Sequence, residues 1–296
     1  MGAKGLAVLS KLPRVFYANV DKVVIGRDLT VIDDCSVEIE KFCNQESIDY
    51  EFRAPLVEID REAFVFAVSW RWMIVHDAER LIVFHDSLLP KYRGFCPLIN
   101  SLVAGEEYIG VTCLFGADSY DTGAIIAQKR IQIQYPITIY EAIKKIEPLY
   151  VDLVAKVLEL LIAGAYIPGT PQDESLASYS LWRDDSDFVV DWNQCSRQIE
   201  RIVDALGYPY KGACTFLNDD VVVLDQVEHL TEDKNIYPRH VGKVLNLSKE
   251  GEPTVVCGRG LLKIKKAHVI SANGDQTPLI PMNRLKSRFL THRSNG

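Results

Sequence analysis

Three short apolar runs, Val23–Ile25, Ala63–Ser69 and Leu81–Phe84, constrain this chain more than any other feature. A strand with no polar alternation must be covered on both faces, as in a sheet packed between helices. Helical segments are expected at Lys4–Leu12 and Ser36–Phe42, and further strands at Tyr108–Phe115 and Ala124–Gln134. A long helix follows. Thr138 and Glu141 have the spacing of a capping box, and Ile143, Ile146, Tyr150, Leu153, Val157 and Leu161 recur on one face. Pro148 is expected to kink this helix and Gly164 to end it. The first half therefore reads as α/β. Such a sheet normally opens with a buried strand, whereas this chain begins at a helix, so either the first strand is missing, as expected, or the topology differs.

The texture changes after residue 164. Pro168, Gly169, Pro171 and a polar run through Asp185 read as a linker over residues 166–188, which separates a first domain, 1–165, from a second, 189–296. In the latter, a helix at Ser196–Leu206 precedes five short apolar runs: Ala213–Phe216, Val221–Val227, Val241–Leu245, Thr254–Cys257 and Leu261–Val269. This is the pattern of a small β domain or barrel. Seven scattered cysteines without a CxxC or a Cys/His cluster argue against a disulfide framework and against a metal. No apolar run reaches the roughly 18 residues of a membrane span. The net charge of −7 argues against bulk attraction to nucleic acid. These features together predict a cytoplasmic protein with no membrane partner.

Neither a GxGxxG turn nor a P-loop is present. The stretch most informative about chemistry is His85-Asp86-Ser87-Leu88-Leu89-Pro90-Lys91-Tyr92-Arg93-Gly94, which follows directly on an apolar run. That position puts His85 at the carboxyl end of a strand, where open α/β sheets bind ligands. Thirty-six residues later, Asp121 falls between two expected neighbouring strands. A carboxylate beside an imidazole fixes its tautomer and favours its charged form, which suits proton transfer. Ser87 has no GxSxG turn around it, which argues against a serine nucleophile. His76, His229, His240, His268 and His292 have no partner pattern.

The stretch from His85 to Gly94, with Gly105-Glu106, Gly110-Val111-Thr112, Asp121-Thr122-Gly123 and Gln128, resembles the 10-formyltetrahydrofolate-dependent formyltransferases, a family that includes methionyl-tRNA and sugar N-formyltransferases. The resemblance covers roughly residues 55 to 160. It continues at Asp191-Trp192 and at Leu206–Ala213, in what looks like the family's C-terminal domain. It implies a Rossmann-like catalytic domain with a mostly parallel sheet, followed by a small OB-like β barrel. It also implies His85 and Asp121 as catalytic residues and 10-formyltetrahydrofolate as co-substrate, without a metal. Ser69, Trp70, Trp72 and Ile74, together with Asp121, match the part that walls the pterin pocket. Arg71 stands where the family has glycine. Ser87, Lys91, Arg93 and Gly94 would meet the acceptor, the two cations facing its phosphates. The family's asparagine, two positions before the histidine, is here Val83, which donates no hydrogen bond to an oxyanion. Thr112 or Asn100 is a substitute donor by residue type.

The resemblance leaves three readings open. The first is a sugar N-formyltransferase acting on a nucleotide-linked amino sugar, a type often dimeric. The second is a methionyl-tRNA formyltransferase binding initiator tRNA. The third is a non-catalytic binding protein of the same fold, motivated by Val83. Phosphate contacts along a tRNA need cations in number. Residues from Asp173 onward carry 16 basic and 17 acidic side chains and the preceding part 17 and 23, so neither is basic. Lys263-Ile264-Lys265-Lys266 and the tail cations Arg284, Lys286, Arg288 and Arg293 are the local exceptions. The balance favours the sugar amine.

Overall fold

The computed structural model describes residues 2–54, 59–218, 220–231, 234–271 and 273–293; residues 55–58, where the family resemblance starts, lie outside the described residues. Two compact units are present. One comprises Met1–Ser101, Glu106–Gln134 and Tyr140–Trp182, the other Leu102–Gly105, Tyr135–Ile139 and Arg183–Gly296.

The elements of the first half run α1 (Gly2–Lys11), β1 (Val23–Ile25), α2 (Ser36–Glu46), β2 (Tyr50–Phe52), β3 (Val65–Val68), β4 (Leu81–His85), β5 (Arg93–Gly94), α3 (Pro97–Ala104), β6 (Tyr108–Phe115), β7 (Ile125–Gln132), α4 (Ile139–Ile162) and β8 (Tyr179–Ser180). A four-stranded sheet of order β3-β4-β6-β7 is parallel between β3 and β4 and antiparallel onward. Strands β1 and β2 form a separate parallel pair, and among the described residues no ladder joins β1 to β3. The apolar β4 is buried as its composition requires, with Ile82 and Phe84 in the core. The face expected of α4 is also the buried one: Ile143, Ile146, Tyr150, Leu153 and Val157. Each such side chain contributes about 1.5–3 kcal/mol by leaving water. The helix runs through Pro148 and ends before Gly164, whose φ of +61° is the left-handed stop that glycine permits.

The expected linker is not free chain. Residues through Trp182 belong to the first unit, where Thr170 bridges Ile125 and β8 pairs in parallel with β5. Several of its polar residues are spent on internal hydrogen bonds.

The second unit contains α5 (Ser196–Leu206), β9 (Ala213–Leu217), β10 (Asp220–Leu230), β11 (Val244–Leu247), β12 (Pro253–Val256), β13 (Leu261–Ile270), β14 (Gln276–Pro278) and β15 (Phe289–Leu290). Its antiparallel sheet has the order β11-β12-β13-β10-β9-β15, with β14 against β13. Register shifts between Leu224 and Val227 bend β10, as bulges do. The sheet curls until its ends meet, with Val244 N donating to Ser287 O at 3.1 Å and Phe289 N to Gly242 O at 2.8 Å. Trp192 is buried beside Phe289, and its indole N–H donates to Thr215 Oγ1 at 2.9 Å.

Candidate active site

The end of β4 builds the site. Side chains alternate along a strand, so Val83 and His85 share one face while Ile82 and Phe84 fill the opposite core. His85 stands opposite Thr112 of β6. Its Nδ1 lies 3.3 Å from Asp121 Oδ1 and its Nε2 2.8 Å from the carbonyl of Tyr92. Both ring nitrogens thus face oxygen acceptors: a ring with one proton satisfies either, and a ring with two satisfies both. The other carboxylate oxygen of Asp121 accepts from Gly94 N at 2.8 Å. Residues 36 positions apart are therefore joined into one unit, both nearly buried.

The loops that meet here carry unusual backbone. Ser69 (φ +52°), Tyr92 (+62°), Cys96 (+50°) and Asp121 (+56°) all occupy the left-handed region. For non-glycine residues that conformation costs roughly 1–2 kcal/mol each and concentrates at functional sites. Gly94 (φ +99°) is required on two grounds, since a Cβ there would lie 2.6 Å from Ser180 O.

The other expected acceptor residues serve mainly to shape the loop. Ser87 is buried and donates to Lys91 O at 2.7 Å. Lys91 points outward and pairs with Glu106 at 3.2 Å. Arg93, expected to face phosphates, is 1% exposed. It forks onto Glu174 (2.7 and 2.8 Å) and Gln172 Oε1 (2.8 and 3.1 Å), which leaves the guanidinium committed within the protein. Hydrogen bonding to the Glu174 carboxylate raises its pKa further and lowers that of Glu174. Thr112, the substitute oxyanion donor expected from residue type, donates to Ser87 O at 2.6 Å. It also accepts from Leu89 N and Gln128 Nε2, so its one proton is spent on the loop. Asn100 lies on α3.

Trp70 and Trp72 sit together beyond β3, ring centroids 4.9 Å apart and steeply tilted. They pack against Gly26, where a Cβ would come within 2.5 Å of the Trp72 ring. The Trp70 indole N–H is buried and has no hydrogen-bond partner. Such a donor is rare in a native core and suits a ligand acceptor atom, as the edge of a pterin ring would supply. Arg71, in the family's glycine position, is not left-handed. It pairs with Asp28 at 3.0 Å and lies over the Trp72 ring.

Several residues around the site were not singled out from sequence. Gln172 and Glu174 hold Arg93, and Ser178 Oγ accepts from Tyr92 N at 2.9 Å. On the buried side of β4, Asp86 accepts from both Lys4 and Tyr150. Burial would raise the Asp86 pKa, but the Lys4 ammonium and the two hydrogen bonds overcome it and hold the carboxyl below its ordinary value; burial and the same carboxylate push Tyr150 well up. Among the described residues no group of three or more His, Cys, Asp or Glu side chains could hold a metal ion, and no helix is long and apolar enough to cross a membrane.

The two-part architecture agrees with comparison to known proteins. Residues 65–157 match the family model described as Formyl transferase, and residues 184–273 match Formyl transferase, C-terminal domain. The chain belongs to the formyl transferase family. Among curated proteins, methionyl-tRNA formyltransferase of Syntrophomonas wolfei is 30% identical over 57% of this chain and 58% of its own length. The alignments to the first such relatives span 42 to 66% of those proteins. Among solved structures, the sugar 3N-formyl transferase WlaRD, determined with dTDP and 5-N-formyl-THF, superposes with a TM-score of 0.62 over 88% of this chain and 93% of its own, at 18% identity. A variant of HypX from Aquifex aeolicus gives 0.60 over 87% of this chain and 47% of its own, at 17% identity. At these identities the structures speak for the fold.

Proposed function

We infer that this protein transfers a formyl group from 10-formyltetrahydrofolate to the amine of a small acceptor, a nucleotide-linked amino sugar. The observation that carries the reading is the convergence of His85 and Asp121 at the carboxyl end of β4, within the segment that matches the family. In this reading the acceptor amine attacks the formyl carbon, the C–N10 bond breaks, and the proton lost by the amine ends on N10 of the departing tetrahydrofolate. His85, anchored by Asp121 through Nδ1, stabilises the developing oxyanion and passes the proton through Nε2, which exchanges the Tyr92 carbonyl for the substrate. Ser69, Trp70, Trp72 and Ile74 would hold the pterin, with the unpartnered Trp70 N–H meeting an acceptor on its edge. Gly94 and the Ser87–Arg93 loop shape the acceptor's approach, and Lys91, exposed and paired with Glu106, would face its phosphates by giving up that surface pair. The seven free cysteines fit a reducing cytoplasm, and a homodimer is the assembly expected of the sugar type.

The second reading, initiator tRNA as acceptor, is favoured by the 30% identity to the Syntrophomonas wolfei protein. Against it, two lysines of the basic run are already taken: Lys263 lies 3.6 Å from Glu252, and Lys265 lies 3.2 Å from Glu252 and 3.8 Å from Glu228. The deciding experiment follows tetrahydrofolate release against a panel of amino-sugar nucleotides and charged initiator tRNA, with His85→Ala as control. Turnover with a sugar nucleotide, abolished in the control, is the expected result. Turnover with tRNA alone transfers the assignment to the second reading. Folate binding without turnover on any acceptor makes the chain a non-catalytic binder and overturns the proposal.

A further inference from the structure

The segment read from sequence as a linker bonds Asp121 directly and reaches His85 through the Tyr92 carbonyl. Gln172 Nε2 donates to Asp121 O at 2.7 Å and to Gly123 O at 2.8 Å, while its Oε1 accepts twice from Arg93. A side-chain amide has two donors and an acceptor oxygen with two lone pairs, so Gln172 is fully used. It fixes the left-handed turn whose carboxylate faces the imidazole, and ties that turn to the buried arginine of the histidine loop. Eight residues on, the same segment grips the histidine side. Ser180 Oγ donates to Tyr92 O at 3.2 Å, the carbonyl that also meets His85 Nε2. The backbone of Ser178 bonds Pro90 O and Arg93 N, and Ser180 O accepts from Phe95 N.

Resting on the formyl-transfer reading, we propose that Gln172 and Ser180 are positioning residues that set the separation and orientation of His85 and Asp121. They touch neither reacting atom and act through the backbone on either side of the pair. The segment spans the two loops as a brace: Gln172 holds the aspartate turn, Ser180 the carbonyl that orients the ring, and β5–β8 pairing keeps the two in register. A displacement of about 1 Å in such a pair is enough to cost of order 10²-fold in rate, so the brace acts on kcat and not on binding.

The test uses the whole chain with Gln172→Ala, Gln172→Glu, Ser180→Ala and, as a control on the same segment, Leu176→Ser, a residue that is 62% exposed. Gln172→Glu keeps an oxygen for Arg93 but loses both donors to the aspartate turn, which separates the two halves of the link. Both Gln172 variants are expected to lower kcat about 10- to 100-fold with each KM within about twofold of wild type. Ser180→Ala falls less and Leu176→Ser not at all. In an Asp121→Asn background, Gln172→Ala adds nothing further, because residues acting as one unit are not additive. Hydrogen exchange supplies a readout independent of turnover: the Gly94 amide, which donates to Asp121, exchanges faster in both Gln172 variants. The inference is overturned if Gln172→Ala costs the same factor in the Asp121→Asn background, if it raises KM alone, or if Gly94 exchange is unchanged. A wild-type protein with no turnover on any acceptor defeats the functional reading, and the exchange result then decides the positioning role by itself.

Discussion

Lys4 and Asp86 allow a stability prediction that also reports on how α1 is held to the end of β4. Lys4 lies in the first turns of α1, and its ammonium pairs with the Asp86 carboxylate, with side-chain exposures of 5% and 15%. The hydroxyl of Tyr150 donates to the other carboxylate oxygen, and Lys4 Nζ sits 5.8 Å from the Tyr150 ring centroid. Removing one partner of a buried, hydrogen-bonded pair strands the other charge and costs about 3–5 kcal/mol, whereas replacing both by apolar groups is often close to neutral. Asp86→Asn, which leaves Lys4 uncompensated, and Lys4→Met, which leaves the carboxylate, are each expected to lose about that much. The double variant Lys4→Met/Asp86→Leu is expected to lose far less than their sum. For a unit of this size, roughly 2–4 °C per kcal/mol makes each single loss about 6–20 °C in Tm. Calorimetric unfolding at neutral pH measures it. The pH dependence has a fixed sign. The Asp86 carboxyl is held below its ordinary value, so the wild-type advantage over Asp86→Asn is fully present above the unfolded-state pKa of about 3.9 and disappears as pH falls through the lower folded value. Single losses below about 1 kcal/mol, or a double variant as damaged as the sum, would falsify the reasoning, because the pair would then behave as a solvated one.

Three further outcomes follow from the structure. Arg93→Met is expected to lower both stability and kcat by stripping Gln172 Oε1 of its donors and removing the tie to the 172–174 segment, whereas Lys91→Ala, 57% exposed at its side chain, changes stability by at most about 1 kcal/mol; thermal melts and steady-state kinetics on the pair measure the contrast. Val83→Asn returns an amide to the face that carries His85 and is expected to raise kcat by about tenfold or more with KM unchanged; unaltered kinetics would show that an effective oxyanion donor is already in place. In timed thiol labelling read by mass spectrometry, Cys113, pushed up to about 12 by burial, stays unmodified in the native protein. Cys195 reacts early, because the Gln198 amide and the Arg259 guanidinium outweigh its burial and lower its pKa.

Much of the fold was legible because burial leaves an imprint on composition. β1 and β6 fall at the residues their apolar runs mark, α5 spans the expected range, and α4 buries the stripe read from its periodicity. The placement of His85 at the end of β4 was legible for the same reason, since a covered strand that ends in a polar residue places that residue at the sheet's carboxyl edge. Short pairings were not. β5 and β8 have two residues each, and their hydrogen bonds depend on partners more than 80 positions apart, which no local pattern encodes. α3 went unread, with Pro97 at its first position as the available signal. A polar stretch with prolines resembles linker whether its side chains meet water or other side chains. The signal that could have distinguished them is the spacing of Ser178 and Ser180 around Tyr179, the two-residue period of a strand with one side turned inward.

The polar residues of the loop explain how chemistry and architecture are divided at this site. Ser87, Arg93, Thr112 and Gln128 all belong to the stretch that marks the family, yet each spends hydrogen bonds on another part of the loop or on the 172–174 segment. Their chemistry builds the turn that lets Gly94 N reach Asp121 and Tyr92 O reach His85. Two left-handed residues and a glycine that tolerates no Cβ make that turn costly, so it persists only because the surrounding bonds over-determine it. A valine at position 83 leaves this lattice intact, since none of these bonds passes through that side chain. The strand face beside His85 can therefore change its oxyanion donor without disturbing the pair, whereas no comparable freedom exists at Arg93 or Gln172. Variation at position 83 should accordingly tune the rate of transfer, and variation in the brace should set how well the His85–Asp121 pair is aligned.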